Sequence, residues 1–270
     1  MPELPEVETI ARRLRPSFIG RKLLDTWTNW PRMLSPGPVA MRRALSGRRL
    51  IELTRRGKLL VWRFEPEVLL LVHLRMSGHP TECPSGTPPA KHVHFVLRFE
   101  GGRELHLDDA RKFARVRLAD DLAAATADLG IEPLSSEFTV DWLYEAMRRR
   151  ARRLKPALLD QSLIAGLGNI YTDESLHRAG LHPLRSTASL RRPEAARLHQ
   201  AIRQALHEGI RRNGASIDWV YPGGEMQDHF LVYGRAGERC GVCGTLIRRL
   251  VVGQRGTHVC PRCQRPPRRG

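Results

Sequence analysis

The chain has 270 residues, 41% of them hydrophobic and 27% charged, which excludes a disordered protein and gives enough length for one large or two ordinary domains. No apolar run approaches the roughly 18 residues of a membrane span, and no signal-peptide pattern opens the chain, so we expect a cytoplasmic protein. The formal net charge of +17 favours nucleic acid as the partner over an anionic membrane, because no long basic amphipathic helix stands out.

The first half of the chain predicts one helix followed by short strands. After Pro5, which suits the first turn of a helix, apolar residues recur at helical spacing: Val7, Ile10, Ala11 and Leu14. Six β-rich segments follow, separated by Gly, Pro or charged turns: 50–54, 59–64, 68–74, 92–99, 104–107 and 113–118. Short strands at this spacing are typical of an antiparallel sandwich, and the Pro-rich segment 83–89 predicts a loop.

The second half changes to a helical pattern near residue 130. Two sets of apolar residues each share one helix face: Trp142, Leu143, Ala146 and Met147, and then Leu198, Ile202, Ala205 and Leu206. We therefore predict an α+β fold with two domains. The predicted segments are a β-sandwich with flanking helices at 1–132, a linker at 133–137, a helical domain at 138–230 and a small Cys-rich module at 231–270.

Four cysteines near the C-terminus form two CxxC pairs, Cys240 with Cys243 and Cys260 with Cys263, separated by sixteen residues. Each pair can present two thiolates to one tetrahedral ion, and the spacer can form a hairpin that closes the site. The alternative, two disulfides, is disfavoured by a reducing cytosol. Because all four ligands are Cys, we predict one structural Zn²⁺ ion, and Cys83 is left without a role.

The spacer between the two pairs is basic, with arginines at positions 248, 249 and 255. A zinc-held hairpin that carries arginines suits the grooves and phosphates of DNA, and the alternative is an ordinary solvated surface. A genomic bias towards Arg codons would explain the choice of Arg over Lys. It would not explain the net positive charge.

The N-terminal segment 1–6 places two prolines and two glutamates before a helix. Helix capping explains Pro5 and Glu6, because acidic groups are favourable at the positive end of a helix, but it gives Pro2 no role. Removal of Met1, which a small second residue normally permits, would make Pro2 a free secondary amine. Such an amine can attack an aldehydic carbon, and the resulting iminium has no N–H to lose and so persists as an electron sink.

At this point the sequence resembles the formamidopyrimidine-DNA glycosylases, bacterial enzymes that excise oxidised purines, over nearly the whole chain. In segment 2–9, Leu4 stands where the sister endonuclease VIII enzymes typically have Gly. Segment 161–174, which runs on to His182 and Pro183, resembles a helix–two-turn–helix motif, and segment 230–235 leads into the cysteine pairs. The zinc spacing alone is shared by many unrelated modules, whereas the combination in this order is highly specific.

The resemblance implies a bifunctional glycosylase and lyase. Pro2 would be the nucleophile at C1′ of the damaged nucleotide, Glu3 the acid/base that protonates the sugar oxygen, and Lys58 a contact to phosphate and sugar. Elimination from the iminium would then cut the strand on both sides. The alternative for Lys58 is a solvated turn lysine. Glu6 and Glu174 would support the site, and a plain helix salt bridge is the alternative for Glu174.

The implied partner is damaged double-stranded DNA, bound by a monomer with no protein partner. A base inside a duplex must be extruded and its gap filled, and three residues match the family's intercalating wedge: Met76, Arg111 and Phe113. Arg111 would contact the orphaned cytosine, and core packing is the alternative for the other two. The further DNA contacts that the resemblance implies are His73, Lys155 near the damaged base, Asn169, Tyr233 and Arg255.

The residue types in the turn that contains Asn169 also indicate phosphate binding independently of the resemblance. Gly166 and Gly168 let backbone N–H groups approach a phosphate closely, and Asn169 adds a side-chain donor. The alternative is a helix C-cap, which Gly168 could provide alone.

Three segments depart from the family pattern. Arg75 stands where the family generally has Gly, and segment 109–114 differs from the usual Asp-Pro-Arg-Arg-Phe-Gly. Segment 214–233, which would contain the loop over the flipped base, is a few residues shorter than is typical. These departures leave the Pro2 motif intact and affect lesion recognition. Two other functions stay open, an enzyme for oxidised pyrimidines and a non-enzymatic zinc-dependent DNA-binding protein.

Overall fold

The structure is a computed structural model that describes residues 1–149, 151–216 and 223–267. Within these residues the chain divides into two units, 1–127 with Ser216 and Gly223, and 128–215 with the residues from 224 onward. Among the described helices, none has the length and hydropathy that crossing a membrane requires.

The first unit begins with helix α1 (Leu4–Phe18), which confirms the helix predicted after Pro5. In its first turn the Glu6 carboxylate accepts the backbone N–H of Glu3 at 2.8 Å, a reciprocal cap that satisfies a donor left over at the helix end. The apolar residues that predicted the helix are all buried: Val7, Ile10, Ala11 and Leu14. Two shorter helices in this unit are α2 (Pro38–Leu45) and α3 (Leu122–Ala125).

The strands of the first unit form two sheets. The members of one sheet are β1 (Leu23–Thr28), β6 (His79–Pro84), β7 (Val93–Phe99) and β8 (Arg103–Asp108), in the order β1-β7-β8-β6. The members of the other are β2 (Leu34–Ser35), β3 (Arg49–Arg56), β4 (Leu59–Glu65), β5 (Val68–His73) and β9 (Arg115–Ala119), in the order β2-β9-β5-β4-β3. All pairings are antiparallel except the short parallel pair of β2 with β9.

One hydrophobic core joins both sheets and α1, which confirms the predicted sandwich. At its centre Trp62 of β4 and Phe99 of β7 stack at 6.4 Å between ring centroids. Phe18 of α1 contacts Trp62 at 6.0 Å and Phe99 at 4.9 Å. Burial of each such ring stabilises the fold by roughly 2–3 kcal/mol, so this aromatic cluster holds the three layers together.

Three strands of the first unit, β1, β2 and β6, were not predicted from the sequence. Strand β6 contains Pro80 and Pro84 and overlaps the predicted loop at 83–89. Because β6 lies at the edge of its sheet, a residue without an N–H does not remove an inner ladder hydrogen bond. The strand predicted at 113–118 was too long at its start, since β9 begins at Arg115 and Phe113 lies in the preceding loop.

The described part of the second unit contains four α-helices and one hairpin. These are α4 (Val140–Arg148), α5 (Leu154–Leu158), α6 (Asn169–Ala179), α7 (Arg192–Arg211), β10 (Arg248–Val252) and β11 (Arg255–Val259). The predicted apolar faces lie on α4, where Leu143 and Met147 are buried, and on α7. Residues 133–137, predicted as a linker, belong to this unit, where Arg203 donates to the carbonyl oxygens of Pro133 and Ser135.

Candidate functional site

Pro2 and Glu3 lie immediately before α1, and both are buried. Glu3 is only 3% exposed, whereas Met1 in front of Pro2 is 50% exposed. The hydrogen bond from the Glu3 N–H to Glu6 fixes the peptide that follows Pro2. Capping therefore explains Glu6, and the same cap also holds the nucleophile candidate and its neighbouring acid in place.

The β3–β4 hairpin brings Lys58 beside His73 of β5. Its turn consists of Gly57 and Lys58, and the next residue, Leu59, pairs with His73 across the sheet. Lys58 is only 7% exposed, which excludes the solvated turn lysine. Burial, helped by the nearby cations Arg75 and Lys58, lowers the pKa of His73 to about 4, so its imidazole is neutral at pH 7.

The tautomer of His73 follows from its backbone contact. Nδ1 accepts the N–H of Arg75 at 3.0 Å and therefore carries no proton. Nε2 then carries the proton and can donate to an oxygen such as that of a phosphate. His73 thus offers a neutral donor next to the cation of Lys58.

We expect the lowered pKa of His73 to make the protein less stable in acid. A folded-state pKa of about 4 lies below the unfolded value of 6.5, so this contribution is complete above pH 6.5 and is lost as the pH falls towards 4. After discounting for partial exposure, the free energy of unfolding should fall by about 1 kcal/mol more in the wild type than in His73→Gln between pH 7 and pH 5. Urea unfolding at both pH values measures this, and equal losses in the two proteins would contradict it.

The three wedge candidates lie in two loops of the first unit, and each is exposed. Met76 is 42% exposed and Phe113 is 44% exposed. Core packing, the alternative for these two residues, is therefore excluded. The guanidinium of Arg111 lies 4.8 Å from the centroid of the Phe113 ring. This arrangement suits side chains that enter a base stack.

A buried carboxylate, Asp109, ties the two wedge loops together. One of its oxygens accepts the hydroxyl of Ser77, and the other accepts the N–H of Ala114 at 2.6 Å. The Ser77 hydroxyl in turn accepts the N–H of Arg111 at 3.3 Å. Sequence reasoning assigned no role to Asp109 or Ser77. Their only signal was their position beside the wedge motifs.

Arg75, which replaces the family's usual Gly, has a φ of +54°. This left-handed conformation costs L-residues about 1 kcal/mol and is the physical reason for a Gly at the position. The strained residue lies directly before the wedge candidate Met76. Arg75 therefore adopts a backbone conformation for which Gly is the most favourable residue.

Replacement of Arg75 by Gly is expected to stabilise the first unit by about 0.5–1 kcal/mol, because Gly adopts positive φ without a Cβ clash. The matched control is Arg75→Ala, which removes the same side chain but keeps the strain and should give no gain. Urea unfolding of the three proteins checks this. A stabilisation by Ala equal to that by Gly would show that the charge of Arg75, and not its φ, is responsible.

In the second unit, the Gly-rich turn leads directly into the first turn of α6. Gly168 is the N-cap of α6, so the alternative of a C-cap is wrong. Gly166 has a φ of +89°, and its N–H donates to the Gln161 side chain at 3.0 Å. Gln161 also donates to the carbonyl of Leu167 at 2.8 Å, which fixes the turn. Asn169 is thus held at the positive end of a helix, where anions bind favourably.

Lys155 lies in the interior of the second unit and is 0% exposed. Its Nζ forms an ion pair with Asp173 of α6 at 2.6 Å and donates to the carbonyl of Gly256 in β11 at 3.1 Å. Asn169 donates to the same carbonyl at 3.1 Å. In this arrangement Lys155 links two helices to the strand that carries Arg255. The resemblance had implied a contact near the damaged base, whereas the contacts here are with the hairpin, and Asp173 gave no signal in the sequence.

Glu174 anchors the segment that leads into the cysteine module. Its buried carboxylate accepts three consecutive backbone N–H groups, those of Leu231, Val232 and Tyr233, at 2.9–3.0 Å. It also forms the helix salt bridge with Arg178 at 2.8 Å. Both interpretations of Glu174 therefore describe real contacts, and the anchor is the one that positions Tyr233.

The four cysteines come together as the spacing predicted. Their sulfur atoms all lie within 4.8 Å of one another, with Cys240 and Cys263 at 3.9 Å and Cys243 and Cys260 at 3.4 Å. Tetrahedral Zn–S bonds of about 2.3 Å require sulfur separations near 3.8 Å, so the four thiolates fit one zinc ion. All ligand positions are protein sulfur, which makes this a structural site.

The predicted hairpin between the cysteine pairs is formed by β10 and β11. Its two turn residues, Gly253 and Gln254, have φ values of +56° and +61°, as a tight two-residue hairpin turn requires. Arg255 follows the turn directly and is exposed. On β11, the ring of His258 lies 5.1 Å from that of Tyr233. We call this hairpin together with the four cysteines the finger. The finger therefore presents a cation at its tip.

The segment expected to contain the capping loop, 214–233, includes residues 217–222, which lie outside the described residues.

Comparison with known proteins agrees with the order of these features. Three family models match: the formamidopyrimidine-DNA glycosylase N-terminal domain at 1–116, the H2TH domain of the same enzymes at 129–220, and the zinc finger found in FPG and IleRS at 237–266. The formamidopyrimidine-DNA glycosylases of Chloroflexus aurantiacus and Roseiflexus sp. are 45% and 44% identical to the chain, covering 98% of it and 98% and 100% of their own lengths.

Solved structures are similar over the same length. MutM in complex with DNA containing carbocyclic 8-oxo-G has a TM-score of 0.92 at 36% identity. The Lactococcus lactis Fpg in complex with DNA containing an abasic site has a TM-score of 0.92 at 35% identity. Each match covers 98% of this chain and 100% of the other.

Proposed function

The chain belongs to the formamidopyrimidine-DNA glycosylase family and is a DNA glycosylase of base excision repair, and we propose that it excises oxidised purines and cuts the DNA backbone through its N-terminal proline. The observation that carries this proposal is the start of α1, where Pro2 is followed by the buried acid Glu3. A secondary amine next to a carboxyl group is the pair that Schiff-base chemistry at a sugar needs. We take the substrates to be 8-oxoguanine and formamidopyrimidines.

The proposed reaction begins when the Pro2 nitrogen, freed by loss of Met1, forms a bond to C1′ as the bond from C1′ to the damaged base breaks. The proton of the amine N–H passes to the departing base. Glu3 protonates the sugar oxygen, the ring opens, and the nitrogen and C1′ become an iminium. The iminium draws electrons from C2′, so a C2′ proton leaves and the 3′ phosphate is eliminated. A second elimination releases the 5′ phosphate, and hydrolysis returns the free amine.

Each unit, taken by itself, offers groups that we propose contact the DNA backbone. Lys58 supplies a cation and His73 a neutral N–H donor in the first unit, and Asn169, Tyr233 and Arg255 contact phosphates in the second. Lys155 and Glu174 support the last two through the hairpin and its connecting segment. The related structures that were solved with damaged DNA support DNA as the partner.

Met76, Arg111 and Phe113 are proposed to fill the gap left by the extruded base. Their exposure at the tips of braced loops supports this role. Arg111 would donate to the orphaned base and favour lesions paired with cytosine. We further propose that the protein acts as a cytoplasmic monomer, bound to damaged duplex DNA without a protein partner.

Excision from a small panel of lesions tests the proposal. Duplexes that contain 8-oxoguanine, a formamidopyrimidine or dihydrouracil are incubated with the enzyme, with and without borohydride. We expect covalent trapping and strand cleavage on the two purine lesions. A strong preference for dihydrouracil would instead favour the enzyme for oxidised pyrimidines, and binding without any trapped adduct would favour a non-enzymatic DNA-binding protein.

A further inference from the structure

Trp30 lies in the turn that follows β1 and has a fixed backbone position. Its N–H donates to the Thr28 hydroxyl at 3.0 Å, and this hydroxyl donates to the carbonyl of His94 in β7 at 2.6 Å. The ring packs partly against the hydrophobic core and stays partly exposed. Trp30 therefore presents an aromatic surface that is anchored to the sandwich.

The cation of Lys112 lies on this surface, with its Nζ 4.3 Å from the centroid of the Trp30 ring. Lys112 stands between the wedge candidates Arg111 and Phe113 and has a φ of +57°. A lysine rarely adopts this left-handed conformation unless a contact in the folded protein supports it. A cation on the face of an indole is the strongest form of such a contact among aromatic side chains.

The loop of residues 109–114, which carries Arg111 and Phe113 and is called the wedge loop here, is thus held at two places. At its base Asp109 donates its N–H to the carbonyl of His92 at 2.8 Å and accepts from Ala114 and Ser77. At its tip the described contact with the sandwich is that of Lys112 with Trp30. The anchor at the tip leads through Trp30 and Thr28 to His94 in β7, and the anchor at the base ends on His92, the residue before β7. The tip and the base of the loop are therefore fixed to one rigid element.

We propose that Trp30 is a positioning residue for the wedge: by binding the Lys112 ammonium it sets the place of Arg111 and Phe113, and with them the selectivity for the base opposite the lesion. This inference rests on the proposed function of the wedge candidates. Trp30 acts through Lys112 and touches no reacting atom. Loss of the Trp30 ring lowers selectivity because Arg111 is then held loosely. Its hydrogen bonds to a correct and to an incorrect opposite base then differ less in free energy.

The test measures the ratio of excision rates for 8-oxoguanine opposite cytosine and opposite adenine. We expect Trp30→Leu, which keeps apolar bulk but has no ring, to reduce this ratio about fivefold, and Trp30→Phe to restore most of it. Lys112→Met should give the same reduction. Because both changes remove one contact, the double variant should be no worse than either single variant.

Arg32 provides the matched control. Its guanidinium also lies near the Trp30 ring, at 5.5 Å, but it is not part of the wedge loop. Arg32→Met should change the ratio less than twofold, because Lys112 and its contact with the Trp30 ring remain in place. An unchanged ratio in Trp30→Leu, additive effects of Trp30→Leu and Lys112→Met, or an equal effect of Arg32→Met would each overturn the proposal.

A second measurement separates this inference from the proposed function. 2-Aminopurine opposite a stable abasic analogue reports wedge insertion through its fluorescence and needs no excision. If the wild type excises no oxidised purine, the proposed function fails, and Trp30→Leu must still reduce the fluorescence change for the inference to hold. Thermal unfolding of each variant and trapping on a single-stranded abasic site, which needs no wedge, show that the variants are folded and that Pro2 remains reactive.

Discussion

A chain that carries one additional residue before Pro2 is expected to lose excision by more than about a thousandfold, because the nucleophilic nitrogen becomes part of an amide. Borohydride trapping of a duplex with 8-oxoguanine measures the loss directly. DNA binding should change much less, since the contacts proposed for Lys58, Asn169 and Arg255 do not use the amine. The same protein should therefore bind the lesion without forming an adduct.

The control for this experiment compares the extended protein before and after its N-terminal extension is removed. A cleavable N-terminal extension is removed by a protease that leaves Pro2 as the first residue, and activity should return with the free amine. Pro2→Gly, which replaces the secondary amine with a primary amine, should retain part of the trapping. Full activity with the uncleaved extension would show that another nucleophile, such as Lys58, carries the reaction.

Loss of the zinc ion is expected to weaken DNA binding about a hundredfold while leaving most of the first unit folded. The finger has a very small core of its own, in which Val232 and Ile247 pack with the buried cysteines Cys240 and Cys260. Without the ion this core cannot hold the hairpin that carries Arg255. The first unit has its own large hydrophobic core, and the cysteine cluster lies outside it.

Cys243→Ser tests this prediction, with Cys83→Ser as the matched control because Cys83 lies outside the metal cluster. The bound metal should fall from one ion to none in the first variant only, with a parallel loss of affinity for duplex DNA. Far-UV circular dichroism should lose only a small part of its signal. Collapse of the signal of the whole chain would mean that the two units do not fold separately.

Local patterns in the sequence were enough to predict several parts of the protein. The zinc ligands follow from two CxxC pairs, because the chemistry of such a site depends on residue type and short spacing. The faces of α4 and α7 follow from helical periodicity, and the turn at Lys58 from Gly57. The chemistry proposed for Pro2 follows from two adjacent residue types, a proline amine and the carboxyl group of Glu3.

Other features could not be predicted, because they depend on residues that are distant in the chain. The sequence left Met76 and Phe113 between core and surface, and only their exposure in the folded loops removes the ambiguity. Edge strand β6 was missed because its prolines are unfavourable in most strands and are tolerated only at a sheet edge.

The sequence by itself determined the metal-held finger, and it predicted a helical turn suited to phosphate and a reactive N-terminus, since each is a local arrangement of residue types. Only the tertiary structure decided what the remaining charged groups do. It placed Lys155 in an ion pair with Asp173, gave Glu174 three backbone donors, and set the Lys112 ammonium on the Trp30 ring. The physical reason is that a buried or ring-bound charge is stabilised by partners that packing brings together, and no periodicity along the chain reports them.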